Sequence, residues 1–362
     1  MPITHNDLYS RIIDFDNLWH AYLAAREGKR YRREVAQFNV NLEENLLNIH
    51  NQLVWGTWRP GKSREFRIFE PKQRDIQAPP FADRIVHHAV VRIVEPLFER
   101  RFIYHSYACR RRKGAQRAVN ELQSMLRAAG QNSATPYVVK ADVKSYFASI
   151  RHDVLFQAID RVVSCRKTLA LWRLIAAAYG HEGGIGLPVG ALTSQLSANI
   201  VLDQLDHVAK DRLGIQMYVR YMDDIIIVSP DKESAWHALR ELIGGLSVLG
   251  LEINPKTSVF PAGRGVDFCG YRTWATHILP RKRNIKKARE RFRRLARLFQ
   301  EGRASLFDAR QIVFSFIAYA KHCNSWRTVV KILNDFCLTK GDLSLCLPCL
   351  PCNPQSRSMI TS

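Results

Sequence analysis

The sequence predicts an α+β fold in which an antiparallel sheet packs on helices. Three observations lead there. The stretch Tyr218–Ser229, YVRYMDDIIIVS, holds an apolar run, Ile225–Val228, that reads as a buried strand with Gln216–Tyr221 as its hairpin partner. A second β-rich run, Val138–Val143, carries Asp142 between Ala141 and Val143. Segments of helical period surround these strands, over 14–26, 81–100, 152–180, 192–213, 232–249 and 281–297.

The acids give the sheet its interest. Asp223 and Asp224 fall at the hairpin turn, and Asp142 falls inside its own strand. A buried sheet holds carboxylates at a cost unless something positive meets them. An ordinary Asp-containing turn explains the pair at 223–224. It leaves Asp142 unexplained, whereas a divalent-metal site accounts for all three.

Charge and composition narrow the partners. The chain has 362 residues, enough for a large core and more than one subdomain. Lys plus Arg number 54 against 33 Asp plus Glu, a net charge of +21 that points to a polyanion. The charge is spread along the chain, which favours a folded nucleic-acid binder over a disordered basic arm. No apolar run reaches transmembrane length, so no membrane partner is expected. The start, MPITHNDLYSRIIDF, lacks the charged-then-apolar order of a signal peptide. Eight cysteines are too few and scattered for a disulfide scaffold, and reduced thiols in a cytoplasm are expected.

In chain order, residues 1–60 read as mainly helical, with Asp14 or Asp16 as N-cap of a helix reaching Arg26. Arg26–Arg33 is a dense basic turn, either a solvated face or a contact for an RNA backbone. Residues 64–76 read as two short strands joined at Pro71–Gln73, with Lys72 and Arg74 at the tip, where cations suit a triphosphate. Tyr104–Gly114 sets aromatics beside Arg110, Arg111, Arg112 and Lys113, a mix that suits a single strand or a plain surface loop. Tyr146 and Phe147 follow the Asp142 strand. Gly183–Asn199 is a Gly-rich loop running into a helix that starts near Leu192–Ser194, where backbone approaches a ligand closely. Residues 192–213 continue as an amphipathic helix. Gly250–Phe260 is a turn and short strand carrying Lys256, and Val266–Trp274 reads as a strand pair. Residues 281–297 hold ten Lys or Arg and one acid, with Ile285, Ala288, Phe292 and Leu295 on one face; the helix packs on that face and presents cations on the other. Cys346, Cys349 and Cys352 have the CxxC spacing of zinc ligands, but no second paired cluster accompanies them, and residues 341–362 are expected to be a flexible tail.

Taken together, these residues resemble a right-hand polymerase of the reverse transcriptase family over roughly residues 60–335. YMDD at Tyr221–Asp224 is similar to that family's palm hairpin, and Asp142 with Phe147 to its first palm motif. Lys72 and Arg74 match the fingers motif for the incoming triphosphate, and Lys256 a palm lysine associated with pyrophosphate departure. Most members carry QGxxxSP before the palm hairpin. Here the same place reads Val189-Gly190-Ala191-Leu192-Thr193-Ser194-Gln195. This VGxxxSQ form, with YACRRRKG and VDFCGYRTWATH, resembles the reverse transcriptases of diversity-generating retroelements.

The resemblance implies fingers, palm and helical thumb: an N-terminal helical extension at 1–60, fingers with part of the palm at 61–135 and 151–215, palm at 136–150 and 216–275, thumb at 276–340. It implies catalysis by Asp142, Asp223 and Asp224, with two Mg²⁺ ions (Mn²⁺ as a substitute) held by these acids and the Val143 carbonyl. It implies dNTP contacts from Lys72, Arg74, Phe147, Val189, Gly190, Gln195 and Lys256, with Phe147 under the sugar. Nucleic acid is expected at Arg110, Arg111, Arg112, Lys113, Arg289, Arg293 and Arg297. The implied partners are template RNA, cDNA or primer, and a small basic oligomeric accessory protein, in a bacterial or phage-encoded cytoplasmic system. The implied product is error-prone cDNA, mutated at adenines, made from a template-repeat RNA. Two alternatives stay open: a domesticated antiviral-defence or other bacterial reverse transcriptase, and a non-catalytic RNA-binding scaffold, against which the three intact acids speak.

Overall fold

The computed structural model describes residues 4–69, 74–178, 183–340 and 343–346. The N-terminal section is helical: α1 (Tyr9–Ile13), α2 (Phe15–Arg26), α3 (Arg33–Val40) and α4 (Leu42–Val54). Asp14 caps α2, its carboxylate accepting from the N–H groups of Asp16 and Asn17. The hairpin β1 (Arg64–Ile68) and β2 (Arg74–Ala78) follows, then the long helix α5 (Phe81–Glu99). Asn17 Nδ2 donates to the carbonyls of Ile12 and Ala89, fastening α2 to α5 through a buried amide with partners.

Next come α6 (Ala115–Asn132), β3 (Tyr137–Asp142), α7 (Tyr146–Ser149), α8 (His152–Asp160), α9 (Arg166–Ala178) and α10 (Leu192–His207), which widens into a π-turn over Val208–Arg212. β4 (Tyr218–Tyr221), β5 (Asp224–Ser229), α11 (Lys232–Val248) and β6 (Ser258–Pro261) complete the central region. The sheet runs β4-β5-β3-β6, with β5 antiparallel to both β4 and β3. Val138, Val139, Ala141 and Ile225–Val228 are buried, so β3 and β5 read as near-continuous apolar runs because both faces are covered.

The remainder comprises β7 (Val266–Phe268), β8 (Tyr271–Thr273), β9 (Ile278–Pro280), α12 (Lys282–Gln300), α13 (Leu306–Ala320), α14 (Trp326–Asn334), β10 (Cys337–Lys340) and β11 (Leu343–Cys346). The chain forms two compact units, one of Met1–Ala118 with Tyr137–Phe260, the other of Val119–Pro136 with Pro261–Ser362. Each has its own core. In the first, α2, α5, α8, α9, α10 and α11 pack with the sheet; in the second, Phe292, Leu295 and Phe299 of α12 pack with Val313, Phe316, Val329, Ile332 and Phe336.

Three expectations need correction. The helix after the Gly-rich loop is not amphipathic. Thr193, Ser194, Ser197, Asn199 and Asp206 of α10 are buried along with its apolar residues. Its small and polar side chains read as a wet face in sequence, but they find partners inside: Trp172 Nε1 donates to Ser197 Oγ at 3.1 Å, and Asn199 Nδ2 to the Ala108 carbonyl at 2.9 Å. The strand pair at Val266–Trp274 gains a third strand, β9, making a small antiparallel meander. Within the tail expected from residue 341, Leu343–Cys346 instead pairs with β10; four residues are too few for sequence alternation to reveal. Residues 347–362, with Cys349 and Cys352, lie outside the described residues.

Candidate active site

The ladder registers bring the acids together. Asp142 is the partner of Asp224 in β3–β5, and Tyr221 is the partner of Asp224 in β4–β5. Directly opposed residues share a face, so Asp142, Asp224 and Tyr221 emerge on one side at one end of the sheet. Asp223 occupies the two-residue turn with Met222, and its carbonyl accepts from Val143 N at 3.3 Å. Met222 adopts φ +55°, and Ser145, just past β3, adopts φ +47°. Non-glycine residues in this left-handed region are strained, and such strain gathers at functional sites.

Asn254 supports Asp142 twice. Its side-chain amide donates to Asp142 Oδ2 at 2.8 Å, and its backbone N–H donates to the Asp142 carbonyl at 2.7 Å. The Asn254 Oδ1 in turn accepts from Lys256 N at 3.0 Å, linking the exposed Lys256 to the same acid. The sequence reading did not single out Asn254.

The loop before α10 is stitched to the segment after β3. Leu187 N donates to the Phe147 carbonyl at 2.7 Å, and Gly186 N to the Ile150 carbonyl at 2.8 Å. Val189, Phe147 and Gln195 are half-buried. Gly190 sits at φ +112°, where a side chain is disfavoured, and a Cβ there would touch Ile76 of β2 at 3.6 Å. The middle of the β1–β2 hairpin therefore lies against the loop at Gly190. Lys72 and the side chain of Arg74 lie outside the described residues.

The basic loop divides. Arg110 is turned inward, with a side chain 5% exposed. It grips both oxygens of Glu99 and donates to the carbonyls of Ile103 and Ser106. That corrects its expected place at a nucleic-acid surface: the buried guanidinium serves the fold, where four acceptors compensate its lost hydration. Lys113 also turns back, its Nζ on the Tyr104 carbonyl at 2.7 Å and 3.4 Å from the centre of the Tyr104 ring. Arg111 and Arg112 stay exposed, although Arg111 Nε lies 3.5 Å from Glu95. Arg289, Arg293 and Arg297 are exposed on α12, opposite its buried Phe292 and Leu295. Arg289 and Arg293 border a cavity of about 270 Å³ with Lys331 and Asp335.

Among the described residues, no group of three or more His, Cys, Asp or Glu side chains is gathered at metal-holding spacing. The donors at the sheet end are carboxylates and carbonyls. Hard oxygen donors suit Mg²⁺ rather than Zn²⁺. Mg²⁺ is ordinarily held by one or two carboxylates together with substrate phosphates, so a closed protein cage is not required. The residues present fit such an ion.

An antiparallel core whose hairpin acids face a third acid, backed by α10 and α11, is the palm of a right-hand nucleic-acid polymerase. The family described as Reverse transcriptase (RNA-dependent DNA polymerase) matches residues 63–273. The chain belongs to that family, and it has the domain of an RNA-directed DNA polymerase. It is 26% identical to Protein YkfC of Escherichia coli (strain K12) over 277 residues, covering 64% of this chain and 72% of that protein. It is 27% identical to Group II intron-encoded protein LtrA of Lactococcus lactis subsp. cremoris over 173 residues, covering 45% of this chain but 28% of LtrA. Among solved structures, a telomerase of Candida albicans in complex with a TWJ fragment of telomeric RNA aligns with TM-score 0.46 at 14% identity, over 76% of this chain and 57% of that one. Among the described residues, no helix is long and apolar enough to cross a membrane.

Proposed function

We propose that the protein makes adenine-mutagenic cDNA from a template-repeat RNA, as the reverse transcriptase of a diversity-generating retroelement. The observation that carries this reading is the loop Val189–Gln195, VGALTSQ, where most of the family has QGxxxSP, anchored at Leu187 to the carbonyl of Phe147. Its partners are template RNA, primer or cDNA, dNTPs and a small basic accessory protein of the element.

The reaction joins a primer 3′ oxygen to the α-phosphorus of a dNTP and expels pyrophosphate. Asp142, Asp223 and Asp224, with the Val143 carbonyl, would hold two Mg²⁺ ions, which supply charge neutralisation and a more acidic 3′ hydroxyl. Lys72 and Arg74 neutralise triphosphate charge, and Lys256 assists pyrophosphate departure. Phe147 lies beneath the sugar and excludes a 2′-hydroxyl. Val189, Gly190 and Gln195 border the nascent base pair. Arg111, Arg112 and the α12 arginines track the nucleic-acid backbone.

The test is single-nucleotide incorporation opposite each template base, with the element's RNA and accessory protein present. Error concentrated opposite adenine is the expected result. Even fidelity across the four bases rejects the mutagenic role and leaves a general reverse transcriptase. The likeness to the group II intron-encoded LtrA favours that second reading. A template and variable repeat differing at adenines beside the gene would favour the first.

A further inference from the structure

We propose that Arg220 is a positioning residue for Asp223, holding the catalytic turn from the back of the palm sheet; this rests on the metal-dependent polymerase reading above. Tyr221 shares the face of Asp142 and Asp224, so its neighbour Arg220 points to the opposite face. There Arg220 is fully buried, with a side-chain exposure of 0%. Its Nε donates to both oxygens of Asp206 at 2.7 and 3.0 Å, and Nη2 donates to Asp206 Oδ2 at 2.5 Å. Tyr218 Oη donates to the same carboxylate at 2.6 Å. The pair is anchored on α10, which also supplies Asn199, whose Oδ1 accepts from Nη1 at 3.2 Å.

The remaining contact leaves this anchor. Nη1 also donates to the carbonyl of Met222 at 3.0 Å. That carbonyl belongs to the peptide joining Met222 to Asp223. The peptide after Asp223 is held by Val143 N on the Asp223 carbonyl. Both peptide planes flanking Asp223 are thus fixed, and together they set the direction of its side chain. The hold acts where the backbone resists it, since Met222 is strained at φ +55°. The ion pair with Asp206 engages only Nε and Nη2, and leaves the Nη1 donors to Asn199 and the turn. The planar fork spans Asp206, Asn199 and the turn, which a lysine ammonium cannot do from one point.

The experiment compares full-length wild type and Arg220→Lys. One readout is Mn²⁺ binding to the protein alone, by EPR titration. The other is the Mg²⁺ midpoint of single-dNTP extension, alongside melting temperature and template–primer Kd. Replacing residues that orient metal-holding groups weakens metal affinity by about 10- to 100-fold. The expected result is a rise of that size in the Mn²⁺ Kd and the Mg²⁺ midpoint together, with template–primer Kd unchanged. Adding Met222→Gly should recover part of the loss, because glycine accepts the turn's φ without strain. A folded Arg220→Lys protein with wild-type Mn²⁺ Kd and Mg²⁺ midpoint, changed only in melting temperature, overturns the inference. If Arg220→Lys does not fold, the double variant Arg220→Gln/Asp206→Asn replaces the ion pair with two amides and no uncompensated buried charge. The same two readouts then decide. A wild type that never extends a primer with metal overturns the polymerase reading instead.

Discussion

Asp142 and Asp224 stand directly opposite each other in the β3–β5 ladder, and Asp223 is tied to the residue after Asp142 through Val143 N. Opposed like charges are unfavourable in a sheet, and the proposed metal ions would offset that cost. Asp142→Asn and Asp223→Asn should each remove a negative charge from the proposed metal site with little change of shape. Polymerisation should fall by more than about 100-fold, beyond the range for residues that merely orient a metal ligand. Circular dichroism and melting temperature should stay near wild type. Normal dNTP incorporation by either folded variant would end the metal assignment.

Phe147 is half-buried beside Tyr146, with ring centres 5.7 Å apart, and its carbonyl anchors the Leu187 loop. Removing the ring leaves the backbone anchor and opens space. Phe147→Ala should therefore raise the rNTP/dNTP ratio of kcat/KM by about 10- to 200-fold, the discrimination that a small change in pocket volume supplies. An unchanged ratio would place the sugar gate elsewhere.

The arginines of α12 face solvent because Phe292, Leu295 and Phe299 take the other face. Replacing Arg289, Arg293 and Arg297 by Ala should weaken template–primer binding and flatten its salt dependence. The log–log slope should fall by about 0.7–0.9 per lost phosphate contact, or about two to three units for all three. Arg297 lies 3.8 Å from Glu301; such exposed pairs are weak, so it should contribute nearly as much as the others. A slope that does not move would show that this face meets something else.

What the sequence reveals is governed by range. The palm hairpin and the Asp142 strand are local patterns, so their period and acids are legible directly. Asn254 is 112 residues from Asp142, and no local pattern says that its amide will reach that carboxylate. Arg220 and Asp206 look like ordinary polar residues until the sheet and α10 bury both. Arg110 misleads for the opposite reason: three consecutive arginines read as a surface, yet Glu99 on α5 draws one of them inside. Polar residues on α10 mislead likewise, because sequence records polarity but not whether a partner waits in the core.

Asp203, on the same buried helix, gives a pH dependence. Burial, and then the neighbouring Asp206 carboxylate, push its carboxyl up to about 7. Between the usual carboxylate range and that value, the folded protein binds a proton that the unfolded chain does not, so stability falls as pH rises through that window. His207 has the same sign. Burial disfavours its imidazolium, but the Asp211 and Asp203 carboxylates outweigh this and hold its pKa above the ordinary value. Its stabilisation is complete below the unfolded pKa and is lost as pH rises through the folded one. The buried His87 and His88, whose pKa values burial lowers to about 3 and about 4, act with the opposite sign as pH rises towards the unfolded histidine value, so the contribution of Asp203 is read from a difference. The melting temperature of Asp203→Asn relative to wild type should rise as pH goes from 5 to about 8. A difference that stays level or falls across this range would refute the assignment.

Val189 lies in the loop proposed to border the incoming nucleotide. Leu187 and Gly186 are bonded to the carbonyls of Phe147 and Ile150, and Gly190 turns the chain at φ +112° against Ile76. The half-buried valine between these fixed points offers neither donor nor acceptor. A glutamine there would add both, and discrimination that depends on a positioned hydrogen bond is large when the bond exists. Wild type is therefore expected to have low fidelity, most evident opposite template adenine. Loosening of the pocket would account for low fidelity, and the resemblance to diversity-generating retroelements is the ground for expecting the preference for adenine. Val189→Gln should lower misincorporation by about tenfold or more, the low end for discrimination by one group. The assay compares kcat/KM for correct and incorrect dNTPs opposite each template base in both proteins, with the accessory protein and RNA present. If Val189→Gln incorporates dNTPs at wild-type rates with unchanged error, this side chain does not set fidelity. If wild type copies adenine as accurately as the other bases, the mutagenic function fails with it.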